Sequence, residues 1–582
     1  MPSKRRSGCW KVLPLTLLIC LASGGAGRAE LEPNEEEGFP RAVVAADHPL
    51  AARAGLQMLE QGGNVVDAAV ATSFALSVVR PYSSGLGGGG FMVIWNAERG
   101  EAVALDYRER APQRAHRDLF VDARDPDLPP ELISQKGMLA VGVPGTVAGL
   151  AYALEHYGNL DLATVLQPAI RLARDGYRLD DHDRETHRNL LRQFARRPAY
   201  RPRFATLYEQ YLFGGQTPDA EVPVTSPQLA ALELIARDGP DAFYRGPIAR
   251  ALVALSDDQG GLLSAEDLAA VRPVVRQPLR GSFDGAEILT MPPPSSGGVA
   301  LLQILNTLAA WEAQGNRRFQ TLEERDPESI QALVEAMKHA YADRAAFLAD
   351  ADFVDVPVDR LISPAYAAEI ARQIDSGQTR EPAAYGAAAL GAGGTSHLSV
   401  IDARGNAVAC TETINLGFGS WVVEPTYGIV LNNQMDDFTA RPGEPNAFGL
   451  IQSDKNAVQP GKKPLSSMTP TIVLRDGRAT HSLGASGGPR IISATLQVLL
   501  HMVRFGQSPA EAVRQPRLHH QWMPDQVLVE EPLDTTLGDL LQQFGHTVVR
   551  RSPLGVCQAV SRDATGLRGA GDPRKGGTAA GY

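Results

Sequence analysis

Residues 395–413 read TSHLSVIDARGNAVACTET, two alternating segments joined by a short polar turn. The turn predicts a β-hairpin with a three-residue loop, in which Gly405 takes the left-handed conformation. Pairing Asp402 with Asn406 sets Thr395 directly opposite Thr413. Because side chains alternate along a strand, the two threonines then share one face of the sheet, at the very start of the first strand.

Thr395 follows the glycine-rich residues 391–394, GAGG, and two interpretations of its position remain open. The paired threonines are either ordinary strand residues of high β-propensity or a reactive pair. If the Gly394–Thr395 bond were cut, Thr395 would carry a free α-amine beside its hydroxyl. An α-amine has a pKa of about 8 and can accept the hydroxyl proton, which makes a self-contained nucleophile and base.

The rest of the chain predicts an α+β protein. Residues 43–80 have a helical pattern, and the middle third adds helical segments such as IQALVEAMKHAYADRAAFL. Residues 380–394 lack an apolar period and are typical of a flexible connector. Strand patterns dominate after it, and a last helix, RIISATLQVLLHMVRFG, follows them. Helices, then strands, then helices predict stacked sheets between helical layers and not a parallel βαβ alternation.

Residues 85–90, GLGGGG, match the spacing G-x-G-x-x-G. A dinucleotide site requires a strand before this motif and a helix after it. Here the helix comes first and the strand FMVIW follows, so the motif predicts a tight turn and no nucleotide site.

Residues 484–488, GASGG, match G-x-S-x-G between a strand and a helix, as in a nucleophile elbow. One hypothesis is a serine hydrolase with Ser486 as nucleophile, His546 as base, and Asp525 or Asp534 as its partner. The other hypothesis assigns the same glycines to an anion site. At a helix start, the N–H groups of Gly487 and Gly488 would point toward a developing oxyanion.

The N-terminal residues are typical of an export signal. Lys4, Arg5 and Arg6 precede the apolar run VLPLTLLICLA, and small residues then lead to a cleavage site after Ala29. The run is too short to span a bilayer comfortably, so no stable membrane anchor is expected. We therefore expect residues 1–29 to be a signal peptide and the mature protein to be periplasmic or secreted.

Composition excludes several functional classes. Removal of residues 1–29 changes the formal net charge from −10 to −15, and no basic run remains to bind nucleic acid. The two remaining cysteines, Cys410 and Cys557, form neither a disulfide framework nor a metal cluster. We expect no metal and no cofactor, and we expect both thiols to be buried and unreactive.

At this point a resemblance to a known family is visible. The segments SGLGGGGFM, ALDYRERAP, GVPGTVAGL, MPPPSSGG, LNNQMDDF, KKPLSSMTPTIV, ASGGPRII and TAAGY, in this order, resemble the γ-glutamyltranspeptidases, closest to the bacterial periplasmic enzymes. The resemblance runs over nearly all of the exported chain. It implies an N-terminal-nucleophile hydrolase with a four-layer αββα sandwich, in which two mainly antiparallel sheets lie between helical layers.

The resemblance also implies maturation and a catalytic role for Thr395. One precursor would cleave itself between Gly394 and Thr395 into a large subunit, residues 30–394, and a small subunit, residues 395–582. Thr395 would be the nucleophile, with Thr413 beside it. Gly487 and Gly488 would hold the oxyanion, and the kinetics would be ping-pong. The small-molecule substrates would be glutathione and other γ-glutamyl amides as donors, with water, amino acids or peptides as acceptors.

Binding roles follow from the same resemblance. Arg108 would bind the substrate α-carboxylate, helped by Ser466 and Ser467, while the α-amine would contact Asn415, Gln434 and Asp437. A planar guanidinium suits a carboxylate, and an acid with neutral acceptors suits an ammonium.

One segment departs from the family pattern. The polar loop of residues 438–463 covers the glutamyl pocket in the bacterial relatives, where a tyrosine acts as gate, and here Phe448 stands in that place.

Three alternatives to this function remain. One is a related amidase or acylase acting on β-lactam side chains or polyglutamate, for which the zwitterion-binding residues should be altered. The others are the Ser486 hydrolase and a non-enzymatic binding protein, which would stay intact and show no turnover.

Overall fold

The computed structural model describes residues 38–322, 324, 326–375, 377–380, 394–531, 533 and 535–582. The expected signal peptide, nearly all of the expected connector and Asp534 lie outside these residues.

Strands and helices alternate irregularly along the chain. The strands are β1 (Ala42–Ala46), β2 (Gly89–Asn96), β3 (Glu101–Asp106), β4 (Tyr177–Arg178), β5 (Pro223–Val224), β6 (Val274–Arg276), β7 (Leu279–Phe283), β8 (Ala286–Thr290), β9 (Gly394–Asp402), β10 (Ala407–Asn415), β11 (Val423–Glu424), β12 (Ile429–Val430), β13 (Thr471–Arg475), β14 (Arg478–Ser486), β15 (Leu518–His519), β16 (Val527–Val529), β17 (Val548–Arg550), β18 (Val556–Asp563), β19 (Gly566–Ala570) and β20 (Thr578–Gly581). The α-helices are α1 (Pro49–Glu60), α2 (Val65–Val79), α3 (Leu119–Asp122), α4 (Thr146–Tyr157), α5 (Leu162–Asp175), α6 (Asp181–Arg196), α7 (Tyr200–Arg203), α8 (Ala205–Gln210), α9 (Leu229–Asp238), α10 (Asp241–Tyr244), α11 (Pro247–Asp258), α12 (Ala265–Ala269), α13 (Gly297–Gly315), α14 (Pro327–Phe347), α15 (Val358–Leu361), α16 (Pro364–Ala371), α17 (Arg490–Leu499), α18 (Pro509–Arg514) and α19 (Thr535–Gln543). Within the described part of the chain, none of these helices has both the length and the apolar content of a membrane-spanning segment.

Two antiparallel sheets stack face to face. The first has the strand order β20-β1-β9-β10-β2-β3-β6 and the second the order β19-β18-β14-β13-β8-β7. Val43 of β1 and Ile472 of β13 belong to an apolar cluster between the sheets. Their neighbours Val44 and Val473 pack on the opposite faces, because successive strand residues point to opposite sides.

Helices cover both outer faces. The first sheet packs against α1, α2, α4 and α5, and the second against α13, α14 and α17. Helix α2 is apolar nearly all round and every one of its residues is buried, as its sequence predicts. The expected four-layer αββα sandwich is confirmed.

One local expectation is wrong. The helical pattern assigned to residues 43–80 does not begin at Val43, because Ala42–Ala46 form β1 between β20 and β9. This short apolar run is buried on both faces, so it lacks the alternation that identifies a half-buried strand. Helix α1 begins only at Pro49, where His48 caps it by accepting a hydrogen bond from the Leu50 N–H.

The hairpin of β9 and β10 has the predicted register. Thr395 lies opposite Thr413, and the backbone of Gly405 in the loop has φ 89°. Strand β9 is paired on both edges, with β1 and with β10. It also packs against β14 of the other sheet, where Gly484 faces the ring of His397. The strand that begins with Gly394–Thr395 is therefore held from three sides.

The close approach at Gly484 generates a stability prediction. A Cβ on Gly484 would lie 2.3 Å from Cε1 of His397. Gly484→Ala should therefore lower the free energy of unfolding by about 1–3 kcal/mol through overpacking between the sheets. The measurement is chemical denaturation followed by circular dichroism.

Gly538→Ala is the matched control. Gly538 lies in α19, and no described residue has an atom within 4 Å of its added Cβ, so this variant should gain about 0.5–1 kcal/mol from helix propensity. Equal effects of the two substitutions would contradict the proposed role of the Gly484 contact.

Candidate active site

The two predicted threonines meet at the carbonyl group of Gly394. Oγ1 of Thr395 lies 3.1 Å from Oγ1 of Thr413, and each of these oxygens lies within 2.8 Å of the Gly394 carbonyl oxygen. The Asn415 N–H donates to Oγ1 of Thr413 over 2.8 Å, at a register shift where Asn415 has φ 79°. The irregular end of β10 thus orients the Thr413 hydroxyl toward the peptide bond that precedes Thr395.

A buried lysine, which the sequence analysis did not identify, binds the backbone carbonyl group of Thr395. Nζ of Lys575 donates to the Thr395 carbonyl oxygen over 2.8 Å and pairs with Oδ2 of Asp47 at 2.6 Å. Gln558 donates to the second oxygen of Asp47 over 2.6 Å. Burial lowers the pKa of Lys575, although Asp47 opposes the shift. No local pattern signals this contact, because residues 47, 395 and 575 are brought together only by the sheet.

Most of the predicted binding residues line one cavity. Its walls include these predicted residues: Thr395, Thr413, Arg108, Gln434, Asp437, Phe448, Ser466, Ser467 and Gly488. The volume is about 20 Å³, room for about one water molecule, whereas ligand sites typically have ~300–1,000 Å³. The site is closed in this structure, so a substrate must displace part of its wall.

The centre of the cavity wall is an ion pair. Nη2 of Arg108 lies 2.7 Å from Oδ2 of Asp437, and the Gln434 side-chain amide donates to the same oxygen over 2.7 Å. Oε1 of Gln434 is buried and has no hydrogen-bond partner among the described residues. Burial raises the pKa of Asp437, and Arg108 opposes that shift. The cavity thus presents a cation, an anion and a free neutral acceptor close together.

This wall of the cavity is stabilised by Ser466 and by Arg344, a residue that the sequence analysis did not identify. Nε of Arg344 donates to Oγ of Ser296 over 2.9 Å, and that hydroxyl donates to the Ser466 carbonyl over 2.6 Å. Arg344 is buried and lines the cavity, and burial lowers its pKa to about 10. The sequence predicts the helix that carries Arg344, α14, but it does not predict the direction in which the Arg344 side chain points.

Asn415 is placed differently from the other predicted residues. Its side-chain amide donates to the Asn433 carbonyl over 3.0 Å, and it is not among the residues that line the closed cavity.

Of the two glycines that follow β14, Gly488 lines the cavity and Gly487 does not. Gly487 and Gly488 have φ 129° and 63°, conformations that favour glycine. Among the described residues, neither N–H has a hydrogen-bond acceptor within the protein. A Cβ on Gly488 would lie 2.6 Å from the Phe448 ring, so the absence of a side chain there lets the ring close over the cavity.

The loop of residues 438–463 is tied to the site through Asn446. Its side-chain oxygen accepts from the N–H groups of Phe448 and Leu450 over 3.0 and 3.1 Å, and its amide nitrogen lies 3.4 Å from Oδ1 of Asp437. The phenyl ring of Phe448 is buried but carries no polar group, so shape alone closes the cavity on this side.

A potential metal site lies away from this cavity. Ligand atoms of His48, Asp180 and Asp183 lie within 4.8 Å of one another. The Arg80 guanidinium forms ion pairs with both carboxylates, so a cation already neutralises them.

The comparisons with known proteins fit this architecture. A family model for gamma-glutamyltranspeptidase matches residues 51–582. The chain is 41% identical over 540 residues to the glutathione hydrolase proenzyme of Escherichia coli K12, covering 91% of this chain and 90% of that protein. It is 33% identical over 607 residues to the glutathione hydrolase proenzyme of Bacillus subtilis 168, with 98% of each covered.

The chain belongs to the γ-glutamyltranspeptidase family. Solved structures agree with the sequence relatives. A cephalosporin acylase from Bacillus halodurans superimposes with a TM-score of 0.81 at 27% identity, over 96% of this chain and 99% of that one. A γ-glutamyltranspeptidase chain from Helicobacter pylori gives a TM-score of 0.51 at 38% identity, over 59% of this chain and 93% of that one.

The residues of the rival serine triad have other partners. Nε2 of His546 lies 2.8 Å from Oε1 of Gln331, and Oδ1 of Asp525 lies 2.9 Å from Nζ of Lys338. Within the described residues, therefore, Ser486 is not assembled with a histidine and an aspartate.

Both thiols are buried, as expected. Burial raises the pKa of Cys410 well above its ordinary value and that of Cys557 to about 12, which makes both poor nucleophiles.

Glu412, next to Thr413, generates a pH prediction. It is buried, accepts hydrogen bonds from Tyr107 and Ser73, and has its pKa raised by burial to about 7. Between pH ~4.5 and ~7 the folded state holds a proton that the unfolded state has lost, so stability should fall as pH rises through this window. Glu412→Gln should reduce that fall by about 3 kcal/mol, measured by denaturation from pH 4.5 to 8.

Two comparisons make this test specific. Glu109 is also buried, with its pKa raised to about 7, so part of the pH dependence should remain in the variant. Glu233→Gln removes an exposed carboxylate that pairs with Arg174 and should leave the profile unchanged. An unchanged profile in Glu412→Gln would contradict the protonation of this buried acid.

Proposed function

We propose that this chain is a γ-glutamyltransferase and glutathione hydrolase made as a proenzyme, with Thr395 as its nucleophile. The observation that carries the proposal is the position of the two threonine hydroxyls on the Gly394 carbonyl, at the edge of a cavity that holds the Arg108–Asp437 pair. The Thr395 hydroxyl that cleaves the precursor would then also face the substrate.

Maturation would begin at the Gly394 carbonyl carbon. Oγ1 of Thr395 attacks it while the Thr413 hydroxyl donates to the carbonyl oxygen, which gains negative charge in the tetrahedral intermediate. The C–N bond breaks, the Thr395 nitrogen takes a proton and becomes an amine, and water hydrolyses the remaining ester. A Cβ on Gly394 would lie 3.0 Å from the backbone of both Tyr82 and Leu416, so a side chain at this position would require its neighbours to shift.

Catalysis would reuse the same groups after cleavage. The Thr395 α-amine takes the hydroxyl proton as Oγ1 attacks the γ-carbonyl carbon of the donor. The N–H groups of Gly487 and Gly488 stabilise the oxyanion, and loss of one such donor typically costs ~10²–10³ in rate. The bond from the γ-carbonyl carbon to the leaving nitrogen breaks as the Thr395 ammonium gives its proton to that nitrogen. Water or a second amine then attacks the same carbon, and its bond to Oγ1 of Thr395 breaks.

The glutamyl end would replace the internal ion pair. The substrate α-carboxylate takes the position of Asp437 on the Arg108 guanidinium, and the α-ammonium pairs with Asp437. The unpartnered Oε1 of Gln434 supplies a neutral acceptor for the same ammonium. Ser466, Ser467 and Asn415 are the proposed further contacts, and Phe448 is the proposed lid.

The proposal includes assembly and location. The fragments 30–394 and 395–582 would remain associated as a large and a small subunit, because β9 lies between β1 and β10 in one sheet. Residues 1–29 would direct the chain to the periplasm and be removed.

Cleavage provides the first functional test. Wild-type protein should separate into two fragments on a denaturing gel, and Thr395→Ala should remain one chain, because it lacks the attacking hydroxyl. Mass spectrometry of the smaller fragment should give Thr395 as its first residue.

Ser486→Ala is the control for the serine hypothesis. It should still be cleaved and should retain hydrolysis of γ-glutamyl 4-nitroanilide. Full processing with complete loss of activity in Ser486→Ala would favour a serine nucleophile instead.

The similarity to a cephalosporin acylase makes an acylase the second candidate function. The buried Asp437 distinguishes a γ-glutamyl from a glutaryl substrate, since only the γ-glutamyl group brings an α-ammonium to it. The enzyme should therefore prefer γ-glutamyl 4-nitroanilide to glutaryl 4-nitroanilide, which lacks that group. Asp437→Asn should reduce this ratio of kcat/KM values about tenfold or more, because a charge-assisted hydrogen bond is lost.

Asp454→Asn is the matched control in the same loop. Asp454 is exposed and pairs with Arg117 on the surface, so its substitution should leave the ratio unchanged. A wild-type preference for the glutaryl substrate would support the acylase.

A further inference from the structure

Helix α6 presents a row of arginines on its outer side. Arg188, Arg192 and Arg196 follow one another at intervals of four residues, so they lie along one side of the helix. All three are exposed. The opposite side of α6 is buried through these residues: Asp183, His187, Leu190 and Phe194. The helix therefore packs on the protein through one side and turns three cations to solvent on the other.

Two further exposed arginines extend this row past the end of α6. Arg197 caps the helix, and Arg201 lies in α7. The guanidinium carbon of Arg197 lies 5.4 Å from the centroid of the Tyr200 ring, and that of Arg201 lies 4.6 Å from the centroid of the Tyr208 ring. These contacts limit the motion of both side chains, so less conformational entropy is lost when an anion binds. The arginine face consists of five residues: Arg188, Arg192, Arg196, Arg197 and Arg201.

The arginine face carries more positive charge than its acidic neighbours neutralise. Glu185 pairs with the first two arginines of the row, at 3.0 and 3.3 Å, and Glu209 lies 3.9 Å from Arg201. For Arg196 and Arg197, the described residues supply no carboxylate oxygen within 4 Å. Five guanidinium groups therefore face two carboxylates, and the surface has a net positive charge.

The charge of this segment is opposite to that of the chain. Residues 184–203 contain seven arginines, no lysine and a single acid, Glu185, so their formal charge is +6. The whole chain has a formal net charge of −10, so the other residues sum to −16. The arginines are spread along the sequence, and only the helix brings them to one side. An acidic protein with one concentrated basic surface is attracted to an anionic partner through that surface.

The use of arginine indicates the chemistry of the partner. A planar guanidinium donates two parallel hydrogen bonds to the oxygens of one phosphate group, whereas a lysine ammonium acts as a point charge. The row from Arg188 to Arg196 extends over about 12 Å of helix. One small anion does not bridge that distance, so the exposed row suits a surface that carries many phosphate groups.

We propose that the arginine face binds the protein reversibly to a membrane surface rich in anionic phospholipid. The headgroup phosphates accept hydrogen bonds from the guanidinium groups, and the attraction adds up over the row. Each basic residue close to such a membrane strengthens binding about fivefold. The contact is peripheral, because the arginine face has no apolar side chain to insert between the lipids. This membrane contact does not depend on the reaction proposed above.

The experiment is co-sedimentation of the cleaved protein with lipid vesicles. One set of vesicles contains equal parts of phosphatidylglycerol and phosphatidylcholine, and the other contains phosphatidylcholine alone. The wild type should sediment with the anionic vesicles only, and the bound fraction should fall as sodium chloride is added, because salt screens the attraction. Arg188→Gln/Arg192→Gln/Arg196→Gln should weaken binding to the anionic vesicles about tenfold or more.

A second triple variant is the matched control for net charge. Arg174→Gln/Arg237→Gln/Arg245→Gln also removes three exposed arginines, each of which pairs with an acid elsewhere on the surface. It should bind the anionic vesicles as the wild type does. Both triple variants should still be cleaved and should keep hydrolysis of γ-glutamyl 4-nitroanilide, which shows that they fold.

Three results would overturn the membrane surface. The first is equal sedimentation with both kinds of vesicle, and the second is an equal loss of binding in the two triple variants. The third is displacement by inorganic phosphate but not by sodium chloride of the same ionic strength, which would indicate a site for single phosphate ions. Binding of a short DNA duplex without binding of vesicles would instead assign the arginine face to nucleic acid. Vesicle binding and anilide turnover are measured separately, so failure of either proposal leaves the other in place.

Discussion

Strand β9 is confined on both edges and one face, and the rest of the site depends on that confinement. Its edges are hydrogen-bonded to β1 and β10, and Gly484 of the opposite sheet contacts the ring of His397. A residue at the start of such a strand has little conformational freedom. Thr395 is therefore presented to its surroundings in one orientation, which is the pre-organisation that a nucleophile requires.

The buried charges around β9 form two separate ion pairs. Lys575 pairs with Asp47 behind Thr395, and Arg108 pairs with Asp437 in front of it. Desolvation of an unpaired charge would cost several kcal/mol, so each of these ions needs its partner in the closed state. We propose that the pair behind Thr395 is structural, whereas the pair in front is the one that a zwitterionic substrate exchanges. The need to pair buried charges therefore both stabilises the strand and sets the cation beside the anion in the cavity wall.

Local sequence predicted the parts of the site that lie within one hairpin or one turn. The spacing of Asp402 and Asn406 was enough to set Thr395 opposite Thr413, since a short loop leaves few registers. The glycines at 487 and 488 likewise indicated an anion site at a strand-to-helix junction. The same local reasoning also offered Ser486 as a nucleophile, and only the positions of His546 and Asp525 in the fold argue against it. The apolar run of β1 was mistaken for part of a helix, because burial on both faces removes the alternation that marks a strand.

By itself the sequence determined the layered α+β architecture, the hairpin register and, through its resemblance to a family, which residues to examine. Tertiary structure alone decided that Lys575 holds the Thr395 carbonyl and that Arg344 supports the wall at Ser466. The physical reason is the range of the contacts. Register and turn chemistry act over a few residues, whereas these two contacts join segments far apart in the chain, and they exist only once both sheets have formed and packed.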